Sequence, residues 1–168
     1  HELFEIYTEQ ITALAEAGAD LLVVETMLGI DEMTVALEAA QSVCALPVLC
    51  SMTVQADGSG YFGGTCVEAV ETLQELGAAA VGINCSTGPD QLESLVRNMK
   101  QAAKVPLLVK PNAGMPEISP EGEAIYSMGP EAFAQHMRTL IDAGAALVGG
   151  CCGTDPRYIS ALRDVLPR

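Results

Sequence analysis

Cys151 and Cys152 stand side by side in Gly149-Gly150-Cys151-Cys152-Gly153-Thr154, at the end of an apolar run. Adjacent thiols framed by glycines suit a metal better than a disulfide, because a vicinal bridge departs from preferred disulfide geometry. A third thiol, Cys85, ends another apolar run two helix–strand repeats earlier, in Asn84-Cys85-Ser86. Three thiolates at one point describe a zinc site with a fourth position open to substrate, whereas four cysteines would close it. Neighbouring strand residues point to opposite faces, so Cys151 and Cys152 can share an ion only where the chain leaves strand geometry. Gly149, Gly150 and Gly153 permit that curl. Cys44, Cys50 and Cys66 lie in or beside apolar runs and read as small buried hydrophobes.

The elements that must position these thiols alternate regularly. Helical patterning over 2–17, 31–43, 65–76, 89–103 and 129–142 precedes apolar runs at 21–24, 47–52, 80–84, 105–109 and 146–149. A last helix spans 155–165, with Thr154 or Asp155 as its cap and Pro156 in its first turn. Short runs that are apolar on both faces fit parallel strands covered by helices. Five such repeats mean an α/β fold, either a doubly wound sheet or part of a (β/α)8 barrel. The recurring Ala-Gly-Ala at 17–19 and 143–145 favours the barrel, and no Gly-x-Gly-x-x-Gly follows the first strand. A complete barrel needs about 250 residues. The 168 residues are therefore expected to form a single partial domain, strands four to eight, with strands one to three absent.

Sites in parallel α/β folds lie at strand carboxyl ends. All five ends are polar or ligand-capable: Glu25-Thr26, Ser51-Met52-Thr53, Asn84-Cys85-Ser86, Lys110-Pro111-Asn112 and Gly150-Cys151-Cys152. The glycine-rich loop 55–65 and the stretch 114–128, with Glu121 and Tyr126, read equally as covers for the site and as plain connections.

Composition narrows the function classes. A net charge of -14 opposes binding to nucleic acid or an anionic membrane surface. No apolar run reaches the roughly 18 residues of a membrane span, and the opening residues lack the pattern of a signal peptide. Six cysteines in a chain of this size point to a reducing cytoplasm rather than a disulfide frame.

Asn84-Cys85-Ser86, Pro111-Asn112-Ala113-Gly114 and Gly149-Gly150-Cys151-Cys152-Gly153-Thr154, in that order, resemble the homocysteine S-methyltransferase family. That family includes the homocysteine module of cobalamin-dependent methionine synthase and betaine–homocysteine methyltransferase. Val24-Glu25-Thr26 resembles its acidic substrate contact. The resemblance implies a (β/α)8 barrel and Zn2+ held by Cys85, Cys151 and Cys152. It further implies homocysteine at the open position and methyl transfer to its thiol to form methionine. Glu25 would meet the substrate ammonium, while Asn84 and Asn112 would orient substrate or support the metal ligands. The methyl donor is left open among methylcobalamin from another domain or protein, betaine and S-methylmethionine. The family's Asp-Gly-rich first strand has no counterpart here. The chain alone is accordingly expected to be inactive, and to oligomerise or pair with the missing barrel half. Two competing readings are a non-catalytic metal-binding or assembly fragment, and a phosphate-binding barrel enzyme using Gly149-Gly150 and the final helix.

Overall fold

The computed structural model describes residues 1–167. Helix α1 (Glu2–Glu16) leads into strand β1 (Leu22–Met27), α2 (Ile30–Val43), β2 (Val48–Met52), α3 (Cys66–Glu75) and β3 (Ala80–Cys85). A 3-10 turn at Pro89–Gln91 and helix α4 (Glu93–Ala102) precede β4 (Leu107–Pro111). A small hairpin, β5 (Pro116–Ile118) and β6 (Ala124–Tyr126), comes before α5 (Pro130–Ala143), β7 (Ala145–Val148) and α6 (Pro156–Asp164).

The five long strands form one parallel sheet in the order β1-β2-β3-β4-β7. Spatial order follows chain order without a reversal. A doubly wound sheet must reverse at its switch point, so the sequential order selects a segment of a barrel wall. The central strand β3 is buried along Ala80–Asn84, as both-face coverage requires. The edge strands are less covered: Val23 of β1 is 43% exposed and Leu147 of β7 is 37% exposed.

The core lies between sheet and helices, where Met33, Leu37, Val70, Leu73, Val96, Met99, Phe133, Met137 and Leu140 are fully buried. Cys50 and Cys66 belong to this core and Cys44 packs against it, as expected of thiols used for packing. Phe133 and Tyr158 meet edge to face at 5.5 Å, fastening α6 to α5. Capping agrees with the residue types: the Thr65 side chain accepts from the Glu68 N–H, and the Asp155 side chain accepts from the Arg157 N–H.

Two features depart from the sequence reading. The helix expected over 89–103 is interrupted at Leu92 (φ -106°, ψ -5°), so a proline-led 3-10 turn precedes α4. The stretch 114–128 folds into the β5–β6 hairpin, whose turn is closed by Gly122 N–H donating to Ser119 C=O at 2.9 Å.

Candidate functional site

Strand β3 delivers Cys85, and the segment after β7 delivers Cys151 and Cys152. Their three Sγ atoms lie within 4.8 Å of one another, and Cys85 and Cys152 Sγ are 3.8 Å apart. Tetrahedral zinc with its usual sulfur bonds sets sulfurs about 3.8 Å apart, so the donor set fits that ion. The curl that aims both adjacent thiols inward begins where β7 ends at Val148. It is stitched to the end of β4: Cys151 N–H donates to Pro111 C=O at 2.9 Å, and Ala113 N–H donates to Cys152 C=O at 2.9 Å. Of the three glycines expected to permit the curl, Gly153 adopts a left-handed φ of +79°. A Cβ there would also strike the Tyr126 ring.

The polar residues behind the thiols are ordered by Asn84, which is 1% exposed. Its Oδ1 accepts from Thr26 N–H at 2.9 Å and from the Ser51 hydroxyl at 2.6 Å. Its Nδ2 donates to Thr26 Oγ1 at 2.7 Å and faces Cys151 Sγ at 3.8 Å. Asn112, 4% exposed, accepts from Cys152 N–H through Oδ1 at 3.1 Å. Asn84 and Asn112 thus stand directly behind the thiols, the side on which outer-shell groups orient metal ligands.

Backbone strain collects at the same place. Thr26, Cys85 and Ser86 have φ values of 61°, 63° and 65°, and they are the only non-glycine residues with positive φ among the described residues. A β-branched residue such as Thr26 is an outlier there. Such strain persists only where surrounding contacts over-determine the backbone. The Asn84 bonds supply those contacts for Thr26. Around Ser86, the hydroxyl accepts from Val54 N–H at 2.9 Å.

Desolvation, together with neighbouring Cys85 and Cys151, pushes the Cys152 thiol up to about 11. A Cys152 thiol raised in this way keeps its proton when no cation is present and surrenders it to one. Tyr126 caps the group from the hairpin, its phenol raised by desolvation and then by the Cys152 sulfur. Sequence alone gives Tyr126 no distinct role, and the Pro-Glu-Gly turn at 120–122 is the available signal for the hairpin that carries it.

Glu25, expected to meet a substrate ammonium, forms an ion pair with Lys110. β2 and β3 lie between their strands, so the pair spans the sheet's carboxyl end. Residue types alone place Lys110 at its strand end without a role, although its charge is uncommon in so acidic a chain. The phosphate reading loses its seat. The first turn of α6 already holds the Asp155 carboxylate against Arg157 N–H at 2.8 Å. Loop 55–65 bounds an open cleft of about 350 Å³ lined by Val54, Gln55, Tyr61, Ser86, Thr87 and Met115.

The chain is similar in sequence and in fold to proteins of known kind. It is 31% identical over 170 residues to a methionine synthase of Mycobacterium leprae, a match covering 98% of this chain and 14% of the relative. A methionine synthase of Mycobacterium tuberculosis is 32% identical over 161 residues, covering 92% of this chain and 13% of the relative. The apo form of the homocysteine methyltransferase MmuM from Escherichia coli superposes with a TM-score of 0.76 at 26% identity, covering 97% of this chain and 57% of that one. Its metallated form gives 0.77 at the same identity, covering 96% and 51%. The chain thus spans about half of the structural relative and a much smaller part of the synthases. The profile of the homocysteine S-methyltransferase family matches residues 1–166, and the chain belongs to that family.

Proposed function

We propose that this chain carries the thiol-activating part of an enzyme that transfers a methyl group to homocysteine, forming methionine. The observation that carries the reading is the convergence of Cys85, Cys151 and Cys152 at the carboxyl ends of β3 and β7. Zinc held by these three residues would lower the acidity barrier of a fourth thiol at the open position, so that a sulfur anion exists at neutral pH.

The chain's own residues then do the positioning. Asn112 holds the Cys152 backbone and Asn84 faces Cys151, which keeps the thiols directed at one point. Glu25 offers its carboxylate to the substrate ammonium. Tyr126 and the β5–β6 hairpin cover one side of the thiol group and limit the approach of water there. Attack by the homocysteine sulfur on an electrophilic methyl group forms the S–C bond, and the donor departs with the electron pair of the bond that breaks. Methylcobalamin presented by another domain or protein is one donor consistent with this arrangement. The thioether product carries no anionic sulfur and binds such a site weakly.

The same geometry supports a domain reading in which residues 1–168 supply strands four to eight of an eight-stranded barrel. The edge of β1, with exposed Val23 and with Leu21 exposed just before the strand, is where a preceding strand or a second copy would pair. A reducing cytoplasm would keep the three thiols available for metal. No helix among the described residues is long and apolar enough to cross a membrane.

The test is zinc content together with methyl transfer to homocysteine, measured on the complete polypeptide that carries this chain, with Cys85→Ala alongside. About one zinc per chain, lost with methylation in the variant, is the expected result. Zinc without methylation by any donor would favour the metal-binding fragment instead, and no zinc at all would sink both readings.

A further inference from the structure

We propose that Lys110 recognises the carboxylate of an α-amino acid substrate, forming with Glu25 a two-ended clamp; the inference rests on reading this site as one for homocysteine. Among the five long strands and the segments leaving their carboxyl ends, Lys110 is the only residue with a basic side chain. The arginine ion pairs, Arg97–Glu93, Arg138–Asp142, Arg157–Asp155 and Arg163–Asp164, join residues of one helix or turn. The Lys110–Glu25 pair instead joins β4 to β1, residues 85 apart in the chain.

The pair's place links it to the thiols from both ends. Glu25 precedes Thr26, which Asn84 holds while facing Cys151. The Lys110 stem runs beside Gly149, where an added Cβ would lie 3.4 Å from Lys110 Cγ, two residues before Cys151. A half-exposed ion pair contributes little to folding, so stability alone is a weak reason for placing opposite charges there.

Recognition is a stronger one. A ligand bringing only an ammonium must take Glu25 from Lys110 and leave the lysine without a partner. A zwitterion brings a replacement: its ammonium takes Glu25 and its carboxylate takes Lys110, so every charge stays paired. No covalent bond changes in this exchange. It favours a thiol bearing both groups over one bearing either alone, since leaving a charge unpaired is costly.

The test is calorimetric binding of three thiols to the zinc-loaded complete polypeptide: homocysteine, 3-aminopropanethiol (no carboxylate) and 4-sulfanylbutanoate (no ammonium). Wild-type protein should bind homocysteine at least about tenfold more tightly than either analogue, the scale of one charge-assisted hydrogen bond. Lys110→Met should weaken homocysteine and 4-sulfanylbutanoate by a similar factor and leave 3-aminopropanethiol unchanged or tighter, because Glu25 is released. Lys110→Arg should restore most of the homocysteine affinity. Equal wild-type affinity for homocysteine and 3-aminopropanethiol overturns the clamp, even if Lys110→Met does not fold. So does a uniform loss for all three ligands in Lys110→Met. Failure of every thiol to bind wild-type protein overturns the proposed function as well, which separates the two failures.

Discussion

Asn84 and Thr26 are hydrogen-bonded in both directions: Thr26 N–H donates to Asn84 Oδ1 at 2.9 Å, and Asn84 Nδ2 donates to Thr26 Oγ1 at 2.7 Å. The exchange holds a β-branched residue at positive φ and joins the end of β1 to the end of β3. Because the amide also faces Cys151, one buried side chain couples the acidic strand end to the thiol group.

Asn84→Ala removes that coupling and leaves the Ser51 hydroxyl and Thr26 N–H without their partner. The expected cost is about 2–3 kcal/mol from unsatisfied buried groups, read from urea unfolding. Zinc affinity should fall roughly 10- to 100-fold, as for other supports of metal ligands. Unchanged affinity would mean that Asn84 serves the fold alone.

Cys85→Ala and Cys50→Ala separate a ligand from a packing thiol. The first should abolish stoichiometric zinc binding by elemental analysis. The second, which alters a fully buried core residue, should lower stability while leaving zinc content intact. Loss of zinc in both variants would count against the assignment of Cys85.

The acidity of Cys152 sets a pH dependence. Its folded value of about 11 lies above the ordinary 9.0, so folding favours the protonated thiol. In metal-free protein that contribution is present below pH 9 and is lost as pH rises from 9 towards 11. Zinc binding must displace the proton, so apparent affinity should increase between about pH 6.5 and about pH 8 in a chelator competition. A flat profile would argue against thiolate ligation by Cys152.

Gly153→Ala places a methyl group against the Tyr126 ring and retains a positive φ. A loss of roughly 1–3 kcal/mol is expected from overpacking and backbone strain. Adding Tyr126→Ala should recover the packing part but not the strain. Additive losses in this double-mutant cycle would show that the ring and the glycine are not coupled.

The edge of β1 makes a prediction about association. The 168-residue chain by itself should self-associate with concentration in sedimentation, and Val23→Lys should reduce that association by charging the edge. A monomer at all concentrations, active on homocysteine, would refute the partial-barrel reading.

Much of the fold is legible in the residues because periodicity is local. The five apolar runs and six helices appear near their expected positions, since each depends on short-range pattern and caps such as Thr65 and Asp155. The break at Leu92 was hidden because Pro89 is equally at home in the first turn of an α-helix. The β5–β6 hairpin was hidden because its strands are three residues each, too short for alternation to declare itself. Among the site residues, the cysteines were legible through their glycine frame. Lys110 was not, because its partner lies 85 residues away.

By itself the sequence determined which groups this protein can bring to bear: three thiols at strand ends, two carboxamides, one carboxylate and a strongly acidic remainder. It also determined the helix–strand alternation that carries them. The tertiary structure alone decided that the strands run in unbroken order as a barrel wall and that the sulfurs meet within 4.8 Å. It also decided that Tyr126 lies on Gly153 and that Lys110 reaches Glu25. Residue types and periodicity act over a few positions, whereas convergence depends on strand register and on loops that turn back, and these are fixed only when the whole sheet packs.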